Sequence, residues 1–204
     1  MRRASSSKRN TGSQRRDEAI SVVLDLAAAD SPDRITTARI SKEMKLSTGA
    51  LFRHFPDKDA LWEAVLEWAT TRLTSRLEIG EHEVDSPLAA LGNIFDAHLD
   101  FIAAHPGVPR LIFAELQRPK DTAAKRVVRE FLRAYAQKLA SLVRRGQATG
   151  EINPLIQPTA TAALFIGSIQ GLVMQSLLAA DPGQLRKGAP EVRTLIFDHL
   201  LPKS

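Results

Sequence analysis

The sequence predicts an all-α protein of about nine helices, a small helix-turn-helix head followed by a larger helical bundle. Three observations carry this prediction. Apolar residues recur at three- and four-residue spacing through nearly every ordered stretch, and no alternating run is long enough for a strand. Residues 35–61 join two short helical patterns across a tight turn. The 204 residues are 44% hydrophobic and 25% charged, enough apolar material to fill a core. Cysteine is absent, which excludes disulfides, thiolate metal sites and a cysteine nucleophile.

The elements follow in order. From Arg16 to Ala29, Ile20, Val23, Leu24 and Ala27 form one apolar face, and Ser31-Pro32-Asp33 ends the helix. Thr36 is a good cap for a short helix over 37–44, and Ser47 for another over 48–54. Pro56-Asp57 then starts a long helix over 57–78, with Leu61, Val65, Trp68, Leu73 and Leu77 on its face. A loop from Gly80 to Pro87 precedes a helix over 87–104, which His105-Pro106-Gly107 terminates. Residues 108–117 form a short helix, and 121–148 a long one that is basic on its outer face. Beyond Gly150, Asn153 and Pro154 lies a near-wholly apolar helix at 158–180, then a polar loop and a last helix at 190–201. The chain divides into a basic arm at 1–14, a head at 15–60 and a bundle at 61–204.

Charge is placed unevenly. Residues 1–16 carry six Arg or Lys and no acid, whereas the whole chain has 28 basic and 23 acidic residues, so 17–204 sum to −1. Such an arm tracks phosphates or enters a minor groove beside a main DNA contact; a solubilising tail is the plainer account. In a helix-turn-helix, apolar residues must lock the two helices, and Ile40, Met44, Leu46, Leu51 and Phe55 suit this. The second helix needs a polar, exposed start, given by Ser47 and Thr48, and something small to let the backbone approach, given by Gly49.

This stretch resembles the tetracycline-repressor (TetR) family of bacterial transcription regulators. The pattern is Thr37, then Ile40-Ser41, then Leu46-Ser47-x-Gly49-x-Leu51-Phe52-x-His54-Phe55-x-x-Lys58-x-x-Leu61, about 30 residues. The resemblance implies operator binding in which Thr37 meets a phosphate and Thr48 and Gly49 sit at the major-groove edge. Arg53 is the candidate for reading guanine, while His54 and Lys58 hold the flanking backbone. Two departures stand out. Phe52 occupies a position often held by Tyr, losing a phosphate-bonding hydroxyl, and Lys45 replaces the usual turn glycine. A lysine there must take a backbone conformation that only glycine visits freely, with its charge free to add a phosphate contact.

For the bundle, the resemblance implies effector binding and homodimerisation. The dimer surface is expected on helices 158–180 and 190–201, through Phe165, Gly167, Ile169, Gly171, Leu172, Leu177 and Leu195; the centre of the monomer core is the competing placement for 158–180. Phe95, His98, Ile102, Phe113, Glu115, Gln117, Phe131, Tyr135, Gln170 and Met174 are effector candidates, each also explicable as packing. The mostly apolar lining favours a hydrophobic effector, a cationic or aromatic one included, with Glu115 the residue to suspect of a charged contact if it is buried. Lys125, Arg126, Arg129 and Arg133 read as a solvated face. His98 and His105 share a helix face but lie about 10 Å apart, too far for one metal, so no metal or cofactor is expected. No phosphate loop, nucleophile elbow or zinc-protease motif occurs, so no enzyme is expected. Without a secretory signal or an 18-residue apolar run, the expected location is cytoplasmic. The expected function is a homodimeric repressor of a palindromic operator released by a small effector; the alternatives are a nucleoid or architectural DNA binder, and a helical enzyme or adaptor.

Overall fold

A computed structural model describes residues 12–181 and 183–202. Among them are nine α-helices and one 3-10 turn, with no strand. The head comprises α1 (Gly12–Ala29), α2 (Thr37–Glu43) and α3 (Thr48–Phe52), with the 3-10 turn Pro32–Arg34 after α1. The spine α4 (Lys58–His82) leads into α5 (Pro87–Ala104), α6 (Gly107–Gln117), α7 (Ala123–Thr149), α8 (Pro158–Leu178) and α9 (Gly183–Leu200). Short polar side chains set the starts of these helices. Thr36, Ser47, Asp57, Ser86 and Thr122 each accept a hydrogen bond from the amide three residues on, satisfying a donor the helix leaves free.

Three boundaries differ from the sequence expectation. Helix α4 runs on to His82, four residues past 78, so Gly80 lies buried within it instead of opening a loop; the Asn93 side chain of α5 donates to the Gly80 carbonyl at 3.1 Å across that close approach. Helix α1 begins at Gly12, four residues before Arg16, so 12–14 belong to a helix; the rest of the basic arm, 1–11, lies outside the described residues. Helix α9 begins at Gly183, seven residues before Pro190, which sits inside it. Proline removes one hydrogen bond and crowds the preceding turn, so the sequence places it naturally at a helix start. Here the packing of Leu185 and Ile196 into the core holds the helix on both sides of it.

One continuous core runs from the head into the bundle. Leu61, Trp62, Val65 and Leu66 at the start of α4 share it with Ile20, Val23, Ile40, Leu51 and Phe55 of the head. Helix α6 is joined to the head at its start and to the spine at its end. At its start, a methyl group on Gly107 would lie 2.3 Å from the Leu24 carbonyl oxygen and 3.1 Å from the Ala28 nitrogen, so backbone meets backbone there. At its end, Arg118 donates both guanidinium nitrogens to Asp59 of α4 at 2.8 and 3.0 Å. Substituting Gly107 with Ala should therefore lift α6 off α1, at a cost of roughly 1–3 kcal/mol. Thermal unfolding checks this: a drop in Tm of several degrees is expected, and an unchanged Tm would show that the junction is slack.

Candidate nucleic-acid interface and apolar cavity

The turn between α2 and α3 closes through two hydrogen bonds. The Leu46 amide donates to the Ser41 carbonyl at 2.9 Å and the Lys45 amide to the Lys42 carbonyl at 3.0 Å. That pairing is a Schellman cap, whose central residue must be left-handed. Lys45 occupies that position with φ of 54°, at a cost of order 1 kcal/mol relative to glycine. Its side chain is exposed. The head is fastened by two arginines that are not among the motif's named positions. Arg39 of α2 bonds Asp30 after α1 at 2.6 Å and holds that carboxyl below its usual pKa. Arg16 of α1 donates to the His54 carbonyl at 2.7 Å while its guanidinium lies 4.5 Å from the Phe55 ring centre. Arg15 in turn pairs with Glu18 at 2.6 Å. Two of the six cations counted in the arm are thus bound within the head.

Most of the sequence-predicted DNA residues lie together on one open surface. Lys45, Ser47, Gly49, Phe52 and Arg53 are exposed, and Thr37, Thr48 and His54 half-buried beside them. Around Gly49 nothing stands within 4 Å of where a methyl group would be. Phe52 is 42% exposed, so its ring belongs to the open face more than to the core. Lys58 is more withdrawn: its ammonium sits 4.6 Å from the Trp62 ring centre, and burial lowers its pKa.

The effector candidates separate into those around a cavity and those elsewhere. A cavity of about 110 Å³ lies among α4, α5, α6, α7 and α8, and His98, Ile102, Phe113, Phe131 and Gln170 line it as expected. The other five do not. Phe95 is packed edge-on against Phe165 in the core at 5.5 Å. Glu115, only 1% exposed, is held by Arg118 at 3.3 Å and by the Thr122 hydroxyl, so its charge is already matched inside the protein. Gln117 and Met174 face outward, because each lies on the far side of its helix. Tyr135 stands behind His98, its hydroxyl 3.3 Å from Nδ1. Sequence reasoning missed the wall from α4, Ala69, Thr70 and Leu73; the small Ala-Thr pair interrupting a stripe of large residues was the available signal. Lys125 also departs from the solvated face assigned to it, since its ammonium bonds the Arg118 carbonyl.

The dimer candidates divide likewise. Phe165, Ile169 and Leu172 point into the core and Leu177 is half-buried, because both faces of α8 are apolar and periodicity alone does not say which one turns inward. Gly167, Gly171 and Leu195 are on the outer face, with no atom within 4 Å of a methyl built on either glycine. Leu164, Leu178 and Leu195 are exposed there by 52%, 74% and 73%. Helix α8 is long and apolar enough to cross a membrane, yet only 28% of its most apolar window is buried. It is therefore a half-covered helix, with one face in the core and the other open.

Comparison with known proteins bears on both parts. Residues 20–65 match the family model for bacterial regulatory proteins of the tetR family, and 112–190 match that for the tetracyclin repressor-like C-terminal domain. The chain belongs to the TetR family. It is a DNA-binding regulator, and the open surface around α3 is the family's helix-turn-helix. A TetR-family regulator from Agrobacterium tumefaciens superposes with a TM-score of 0.80 at 18% identity, over 94% of this chain and 100% of the other. FadR from Bacillus subtilis, solved in complex with stearoyl-CoA, gives 0.78 at 16% identity, over 90% and 98%. Among sequence relatives, the nucleoid occlusion factor SlmA of Marinobacter nauticus is 27% identical over 177 residues, 83% of this chain and 89% of its own length. SlmA of Edwardsiella ictaluri is 30% identical over 132 residues, 64% and 67% respectively.

Within the TetR cavity, polar groups are few: Thr70, His98 and Gln170. Burial pushes the His98 imidazole down to about 4, so it is neutral at physiological pH. The unfolded chain takes up a proton at this residue from pH ~6.5 downward, whereas the folded protein resists it. Stability present above pH ~6.5 should thus be lost progressively as the pH falls through 6 and 5 towards 4, by at most about 3 kcal/mol. Urea unfolding of the wild type and His98→Gln across pH 7.5–4.5 checks this. The variant should show the shallower decline, and parallel profiles would remove His98 as the cause.

Proposed function

We propose that this TetR-family protein is a homodimeric repressor that reads a near-palindromic operator and releases it when a small, mostly hydrophobic effector enters the cavity. The carrying observation is the apolar cavity beside α6, the helix that also touches α1 of the head at Gly107 and the spine α4 at Arg118. An occupant pressing on Val108, Ile112 or Phe113 acts on a helix joined to α1 and α4. Two heads are needed because each reads one half-site. The free face of α8, with Gly167 and Gly171 four residues apart, lets a second copy approach closely. Such a protein works beside the chromosome, in the cytoplasm, and needs no cofactor or chemical step.

At the operator, Thr37, Ser47 and Thr48 offer hydroxyls and first-turn amides to phosphates, and Gly49 lets the backbone come close. Lys45 adds a cation at the turn, His54 and Lys58 flank the backbone contacts, and the four cations in sequence 1–11 add to the attraction for DNA. Arg53, exposed at the end of α3, reads guanine. A second reading, a nucleoid DNA binder acting without a ligand, is favoured by the SlmA relatives and predicts many dispersed sites.

A gel-shift titration compares the promoter beside the gene with a random duplex. A repressor should prefer its operator at least ~10³-fold, and equal binding would transfer the protein to the nucleoid reading. Arg53→Ala should cost roughly 1–3 kcal/mol on operator and relax the base preference; an equal loss on random DNA would reassign Arg53 to phosphate. Restoring the hydroxyl with Phe52→Tyr should tighten binding by about 0.5–1.5 kcal/mol, measured by fluorescence anisotropy. No gain would place that ring away from the phosphates.

A further inference from the structure

A second cavity adjoins the first, about 230 Å³ in volume, between the end of α1, the α5–α6 turn and the junction of α8 with α9. Ile102, Pro109 and Val173 line both, so the two spaces share a wall formed by these residues. Neither alone reaches the ~300 Å³ at which ligand pockets begin, whereas the two joined do. Their chemistry differs at one residue. Arg110 is the only formally charged side chain lining either space, it is half-buried, and no ion pair or hydrogen bond occupies its side chain among the described residues. The one hydroxyl there, Ser176, already donates to the Asp181 carbonyl at 2.9 Å.

We propose that this second cavity seats the anionic head of an amphiphile, bound by Arg110, while its apolar tail fills the first cavity. The proposal rests on the first cavity being the effector site, and adds the chemical class of the effector. A guanidinium offers paired donors that match a carboxylate or a phosphate, and a partly dry site strengthens the pairing. The position links recognition to release. Ala28 of α1 and Pro106 at the entrance of α6 wall the same cavity, beside the Gly107 junction where no spare space exists. A head group held by Arg110 therefore bears on the contact between the bundle and the DNA-reading head, which an apolar tail alone does not touch.

Calorimetric titration of the full chain with octanoate, octyl phosphate and octan-1-ol tests this. At least one anion should bind about tenfold more tightly than the alcohol, and whichever does so identifies the head as carboxylate or phosphate. Arg110→Gln should abolish that preference while leaving octan-1-ol affinity unchanged, and Arg110→Lys should keep part of it. The proposal is overturned if neither anion outbinds the alcohol, or if Arg110→Gln leaves the preference intact while octan-1-ol still binds; in both cases the apolar cavity stands as effector site. No binding of any of the three by the wild type would overturn the cavity reading itself, and the head subsite with it.

Discussion

No methyl group fits between the first residue of α6 and the backbone of α1, and this close approach at Gly107 fixes how the bundle seats against the head. A contact through long side chains could absorb a shift of an ångström by changing rotamers. Backbone against backbone cannot, so movement of α6 is passed directly to the head. The other end of α6 is held differently, by a doubly bonded Arg118–Asp59 pair that lowers the Asp59 pKa and raises that of Arg118. Both groups are substantially exposed, so solvent limits what that pair contributes to stability. Its geometry is what counts: with Gly107 it fixes both ends of an eleven-residue helix, whose middle faces the cavity.

How much of this was legible in sequence depends on the range of the interaction. The helix starts were legible because a cap acts over three residues, as at Ser47 and Thr122. The cost of Lys45 was legible for the same reason, since the turn is built from hydrogen bonds between residues 41 and 46. The start of α9 was not, because Pro190 is a strong local signal and only the packing of Leu185 overrides it. Facing was the harder problem in α8, where Phe165 and Ile169 on one side and Leu164 and Leu178 on the other are equally apolar. Glu115 shows a third limit. It was suspected of a charged contact with an effector, but a carboxylate matched by neighbours at positions 118 and 122 reads the same in sequence as one waiting for a ligand.

The head itself contains a trade between stability and contact. Arg16 and Arg39 could have served as phosphate ligands, yet both are committed to fastening α1 to the turn and to α2. Five-residue α3 has little intrinsic stability, since short helices depend on tertiary packing. Leu51 and Phe55, almost fully buried, and the Arg16 bridge to the His54 carbonyl supply that packing. The groups left open on the surface are then small or singly placed: Gly49, Ser47, Phe52, Arg53 and the strained Lys45.

Two readings stand against each other, the proposed effector-released repressor and a nucleoid DNA binder like the SlmA relatives. The cavity weighs between them. Leaving about 110 Å³ open among Leu, Ile and Phe walls forgoes on the order of 2–3 kcal/mol, judged by what cavities cost in other cores. A larger residue in place of Ala69 or Val128 would reduce that loss. For the proposed repressor the space has a use, because an occupant restores the missing contacts and thereby favours whichever position of α6 accommodates it. On that reading the unfilled space is the free-energy difference on which release of DNA runs.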